Sequence, residues 1–157
     1  MALDMFLKLD GIVGESTHKG HKDEIEVLSF SWGVTNSSEI GAQGRRRGRA
    51  TPTDINFVMH TNKATPLLFK ACATGRHLKQ GIFVIEKAGE QPFPFYTVTL
   101  TDILVSSFQT GAGGEDVTDQ FSLAFRTLRV KEVEQTPKGT PGDTVEAAFD
   151  FVRRRAI

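Results

Sequence analysis

A chain of 157 residues and 17.3 kDa is the size of one compact domain with a real core, and too small for a two-domain enzyme with a cleft between halves. Hydrophobic residues make up 39% and glycines number 15, an ordinary globular composition that excludes disorder and collagen-like structure. Nineteen basic side chains balance nineteen acidic ones, so affinity for nucleic acid has to come from local clustering and not from the field of the whole molecule.

The first residues, Met1 to Lys8, lack the basic start and apolar stretch of a secretory signal. The longest uncharged runs, Val27–Ser38 and Ile103–Gly114, reach twelve residues, so neither Sec export nor a membrane span is expected. Twelve Phe against one Trp and one Tyr fall in short runs with Val, Ile and Thr, punctuated by Gly, Pro and Asn, which is a β texture. Alternation predicts strands near Leu3–Leu9, Ile25–Trp32, Asp54–His60, Gly81–Lys87, Phe95–Phe108, Thr118–Val133 and Thr144–Val152. Strands at this spacing predict a mainly β fold, a closed or nearly closed antiparallel barrel or sandwich, with residues 1–157 as one domain.

In the first strand Leu3, Met5, Leu7 and Leu9 share one face, which leaves Phe6 among Asp4, Lys8 and Asp10 and marks it as a candidate subunit contact. His18 and His21, three apart beside Asp23 and Glu24, have metal-ligand residue types, but no third or fourth His or Cys follows at matching distance. With Lys19 and Lys22 beside them, they read as a solvated polar loop. In the second strand Leu28, Phe30 and Trp32 form a bulky, core-like face. Val27, Ser29 and Ser31 take the other face, small and weakly polar, suited to a wall that borders water or something passing by.

The stretch Thr35–Thr53 is a long loop rich in Ser, Gly and Arg, and loops of that length are usually functional or disordered and not mere connections. It carries Arg45, Arg46, Arg47 and Arg49, the strongest local charge, with Arg153–Arg155 second. Such a run contacts a phosphate backbone or an acidic protein surface. With net charge zero and no aromatic platform inside the run, a solvated or protein-contacting loop is favoured over a nucleic-acid contact. Thr65 to Gly75 breaks the β pattern: Thr65 as N-cap, Pro66 at the first helical position and Gly75 past the end predict one short helix. Leu67, Leu68, Ala71 and Cys72 give it an apolar stripe, on which the single cysteine acts as a small hydrophobe. Gly111–Asp116 is a hairpin connection and Thr136–Asp143 a loop into the last strand. His60 and His77 have no Ser or Cys at motif spacing, and no acid/base pair stands out, so no catalytic residue, metal ligand or cofactor site is assigned.

Asp4–Ser16 and His21–Gly33 closely resemble the Hcp (haemolysin-coregulated protein) family, the tube protein of type VI secretion systems. Lys63–Cys72 looks like the family's helix, and Leu104–Phe108, Gly111–Asp116 and Phe121–Phe125 look like its long hairpin, so the likeness runs to about Val152. The resemblance implies an antiparallel β-barrel of two sheets with one short α-helix at its side, and a hexameric ring. It further implies rings stacked into a tube inside a contractile sheath, behind a spike protein of the VgrG type, with small effectors carried in the lumen. It implies no enzyme activity and no cofactor. On that reading the chain is made in the cytoplasm and expelled without a signal peptide, Ser29 and Ser31 face the lumen and its cargo, and Phe6, Arg45, Arg46, Arg47 and Arg49 make subunit or ring-stacking contacts. The alternative is a nucleic-acid-binding β-barrel module using the Arg45–Arg49 loop.

Overall fold

A computed structural model describes residues 3–37, 48–89 and 91–157. The strands in chain order are β1 Leu3–Leu9, β2 Ile25–Glu26, β3 Ser29–Ser31, β4 Val34–Asn36, β5 Ala50–Pro52 and β6 Ile55–His60. After helix α1, Ala64–Thr74, come β7 His77–Lys87, β8 Pro94–Gly113, β9 Asp116–Gln135, β10 Pro141–Asp150 and β11 Arg155–Ala156. All pairings among them are antiparallel. The predicted strand over Ile25–Trp32 is two short pieces. The ends of the predicted long loop are themselves strand, because β4 pairs with β5 as a separate ribbon.

The order of pairing closes the barrel. β8 lies between β7 and β9, β7 pairs with β1, and β1 pairs with β2. The chain then passes from β2 to β3, which pairs with β6, and β6 returns to β9. At the crossing, the Val27 amide donates to the Met5 carbonyl at 2.9 Å and the Leu28 amide donates to the Val58 carbonyl at 2.7 Å. Two adjacent residues thus hold different partner strands and carry the ladder across from β1 to β6. The 20-residue strands β8 and β9 span the barrel: β8 pairs with β7 over Pro94–Leu104, and β9 pairs with β6 over Thr118–Leu123 and with β10 over Thr127–Gln135. Beyond the barrel, β10 extends the sheet along the C-terminal half of β9.

The crossing also resets the side-chain phase. Leu28, expected on the bulky inner face, is 46% exposed, whereas Val27, expected outside with the serines, is 6% exposed. The reason is the change of partner between the two residues, which breaks the strict alternation assumed across Ile25–Trp32. Phe30 and Trp32 do pack against the core.

That core is built on aromatic contacts: Phe57 lies 5.3 Å from both Phe83 and Phe121, centroid to centroid, and Phe30 4.7 Å from Phe83. Gly81 in β7 sits where a methyl group would meet Leu9 Cδ2 at 2.8 Å and Ile103 Cδ1 at 2.9 Å, so the crossing of β1, β7 and β8 admits no side chain there. Helix α1 packs on β8 and buries Ala64, Leu68 and Ala71, with Leu67 and Cys72 partly covered. It begins one residue before the predicted cap. Asn62 Oδ1 accepts the Ala64 amide at 2.7 Å, and the Thr65 hydroxyl donates to Asp119 Oδ2 at 2.5 Å instead of capping. The fully buried Asp119 also accepts from the Thr61 hydroxyl at 3.0 Å, so one carboxylate of β9 ties down the helix entry. At the far end Gly75 takes the left-handed φ of 67° that stops the helix, as its position in the sequence predicts.

Candidate functional site

Directly opposed residues of an antiparallel ladder share a face, so the register sorts the sheet β3–β6–β9–β8 into rows. One row is Phe30, Phe57, Phe121 and Phe108, a band of rings facing the barrel interior. The rows on either side point the other way: Ser29, Val58, Gln120 and Gln109 in one, Ser31, Asn56, Ser122 and Ser107 in the next. Neither outward row holds a charged side chain. Ser29, Ser31, Asn56, Gln109 and Gln120 are exposed.

The register shifts between Val105 and Ser107, and this bulge turns Ser106 outward beside Ser107. Ser106 and Ser107 then both reach the Ser122 hydroxyl, at 2.7 and 2.5 Å, and the Ser106 hydroxyl also donates to Asp54 Oδ2 at 2.6 Å. These bonds fix the small hydroxyls in place and hold the exposed Asp54 carboxylate beside them. The outcome is a smooth, uncharged polar surface across four strands. Sequence alternation found its first strand through Ser29 and Ser31. The other three strands were out of reach, because their membership depends on pairing between distant segments.

Phe6 is corrected by the structure. It lies on the strand face opposite Leu7, as read, but it is 2% exposed and offers nothing to a neighbour. The loop between β1 and β2 folds back over it, stacking the His21 ring on it at 4.2 Å and 5° and placing the His18 ring at 4.9 Å. The two histidines thus form a lid on an aromatic ring. His21 Nδ1 lies 3.1 Å from Glu24 Oε1 and His21 Nε2 lies 2.7 Å from Glu86 Oε1, while His18 Nε2 stands 3.9 Å from Asp4 Oδ2. Burial pulls the His21 pKa down, and the hydrogen bonds to Glu86 and Glu24, with their charges, overcome it and raise the pKa above 6.5. Glu86 is 5% exposed, and its role was invisible in sequence because 65 residues separate it from His21.

Of the arginine run, Arg49 is exposed, its amide donating to Ser37 Oγ at 3.3 Å beside the β4–β5 ribbon. Arg45, Arg46 and Arg47 lie outside the described residues. Among the described residues no group of three or more His, Cys, Asp or Glu side chains is arranged to hold a metal ion, and no helix is long and apolar enough to cross a membrane. His77 Nδ1 lies 2.8 Å from Asp102 Oδ1 at the surface, and His60 is exposed at the end of β6. Trp32 donates its indole N–H to the Tyr96 hydroxyl at 2.9 Å, which ties the segment after β3 to β8.

Comparison with known proteins places this barrel. The family model of the type VI secretion system effector Hcp matches residues 6–131. Protein hcp1 of Pseudomonas aeruginosa is 38% identical over 143 residues, spanning 88% of each chain. The crystal structure of Hcp1 from Salmonella typhimurium matches over 100% of both chains with a TM-score of 0.84 at 35% identity. A further solved structure, a type six secretion system protein, gives a TM-score of 0.92 at 26% identity over 99% of this chain and 100% of its own. The chain belongs to the Hcp family of the type VI secretion system.

Proposed function

We propose that this protein is the tube subunit of a type VI secretion system: copies close into a hexameric ring, and rings stack into the inner tube of a contractile sheath behind a spike protein of the VgrG type. The observation that carries this reading is the uncharged face of β3, β6, β9 and β8, backed by its row of phenylalanines. A passage wall has to be wetted without gripping what moves along it. Small hydroxyls and amides exchange hydrogen bonds with water, and they lack both the range of a charge and the adhesion of an apolar patch. Turned inward, this face puts Ser29 and Ser31 on the lumen, where small effector proteins ride. Six identical subunits closing by rotation would repeat it around the channel.

Arg49, with Arg45, Arg46 and Arg47, makes contacts between stacked rings, reaching carboxylates on the neighbour. Phe6 has no part in them, since its ring is covered within the subunit. The protein acts by assembly and not by turnover, first in the cytoplasm and then outside the cell.

Electron microscopy and light scattering of the purified protein at micromolar concentration test the assembly. Rings in end view are expected, and a 17.3 kDa monomer alone would refute the reading. Ser31→Glu should leave the barrel folded and the ring closed, while reducing retention of co-expressed effectors. Loss of the fold in that variant would show that the face points inward to the core. Replacing Arg45, Arg46, Arg47 and Arg49 by Ser should weaken stacking, with high salt mimicking the defect. Unchanged stacking together with lost DNA or RNA binding would favour a nucleic-acid module.

A further inference from the structure

The connection between β1 and β2 is held down by side chains that the tube reading does not use. Its own backbone is tightly folded: the Gly14 amide donates to the Asp23 carbonyl at 2.8 Å, the Asp23 amide to Ser16 at 2.8 Å and the Ser16 amide to Glu24 at 3.1 Å. A Cβ on Gly14 would stand 2.4 Å from the Glu24 carbonyl oxygen, so the two limbs of the loop touch backbone to backbone. Between this folded loop and the barrel lie the Phe6 ring, the carboxylates of Asp4 and Glu86, and the two imidazoles.

From this geometry we infer that His21 is a proton-dependent clasp, closing the β1–β2 loop over Phe6 when it is an imidazolium and releasing it when it is neutral. The argument is one of donor counting. Each ring nitrogen of His21 faces a different carboxylate, Glu24 on the loop and Glu86 on β7. A neutral imidazole owns a single N–H, so one carboxylate would then confront a lone pair; only the protonated ring donates to both. Burial sharpens the choice, because the His21 and Glu86 side chains are 12% and 7% exposed and leave little water to stand in for a missing donor.

The surrounding charges act in the same direction. From β1, Asp4 is directly opposed to Glu86 across the ladder; from β2, Glu26 is opposed to Phe6; from the loop come Glu24 and His18, with Lys19 and Lys22 exposed beyond them. Removing the proton therefore leaves the Asp4, Glu24 and Glu86 carboxylates around Phe6, with His18 against Asp4 alone. The sign of the linkage follows. The folded pKa of His21 lies above 6.5, so the clasp is fully engaged below about pH 6.5 and is lost as the pH rises through the folded value. What opens is the loop, with Phe6 beneath it, and not the barrel.

Amide hydrogen exchange by NMR on the full chain, from pH 5.5 to 9 and corrected for intrinsic base catalysis, tests this. Protection of the Gly14, Ser16 and Asp23 amides should be constant below about pH 6.5, where the unfolded imidazole is protonated, and then fall about tenfold per pH unit until the folded pKa is passed. Amides in the β8–β9 ladder should not follow. His21→Gln should lower loop protection and remove its pH dependence, and Glu86→Gln should shrink the fall while keeping side-chain size. Loop amides that track the β8–β9 amides over the whole range in the wild type would overturn the clasp, as would an unchanged pH profile in Glu86→Gln. The wild-type titration and Glu86→Gln decide the matter even where His21→Gln fails to fold.

Discussion

Phe57 and Val58 are neighbours in β6 that point to opposite faces of one sheet, and replacing each tests the sorting of that sheet. Phe57 is 1% exposed and touches the Phe83 ring edge-on and the Phe121 ring in a stack, both at 5.3 Å. Truncation to Ala removes the ring and opens a cavity that its neighbours in a closed barrel cannot easily fill, a loss of about 3–5 kcal/mol for a buried Phe. Two aromatic contacts, each contributing about 0.5–1.5 kcal/mol beyond area, place it toward the upper end. At roughly 2–4 °C per kcal/mol for a domain of this size, Phe57→Ala should lower Tm by about 6–20 °C. Val58, half-buried between Ser29 and Gln120, should tolerate Ser at a cost of about 1 kcal/mol. Circular dichroism melts at one fixed protomer concentration, needed because self-association raises Tm by mass action, give both numbers. A larger loss for Val58→Ser than for Phe57→Ala would mean that the two faces have been exchanged.

Two further outcomes follow from named contacts. Gly81→Val forces a branched side chain against Leu9 and Ile103 and should destabilise by about 1–3 kcal/mol, read as an earlier midpoint in urea. Asp150 accepts the Arg153 amide at 3.0 Å, the cause that most lowers its pKa below 3.8; burial opposes, and Arg126 at 3.2 Å and the Val152 amide add to the lowering. Its stabilisation is therefore complete above about pH 3.8 and lost as the pH falls through the lower folded value, so Asp150→Asn should flatten the acid limb of the stability profile.

What could be read from the sequence was whatever local periodicity encodes. β1 was legible over Leu3–Leu9 because Leu3, Met5, Leu7 and Leu9 recur at every second position, with Phe6 the one break in the polar positions between them. The helix was legible because Pro66 and Gly75 bracket an apolar stripe. The misread positions are those whose surroundings come from far away. Phe6 sits on a polar strand face, and no local pattern announces that a loop carrying His18 and His21 returns to cover it. Val27 and Leu28 changed places because the chain switches partner between them, from β1 to β6, and a switch of partner leaves no mark on composition. The ribbon of β4 and β5 escaped for a related reason: Val34–Asn36 and Ala50–Pro52 are three residues each, too short to show a period. Of the candidate site, Ser29 and Ser31 were visible as a small polar face, whereas the three strands that continue it are joined only by long-range pairing.

The closure of the barrel through β1 has a consequence for its synthesis. β1 is made before its long ladder partner β7, which ends at Lys87, 78 residues after Leu9. At about 5–20 residues per second, the edge of β1 that β7 will cover stays bare for about 4–16 s, and the other edge has only the two residues of β2 to pair with. An apolar strand left open that long is a template for adhesion between nascent chains. Asp4, Lys8 and Asp10 interrupt this one at alternate positions, which keeps the waiting segment soluble. The charged face of β1 thus serves the chain before any barrel exists, and its value is greatest during the seconds before β7 arrives to cover the open edge.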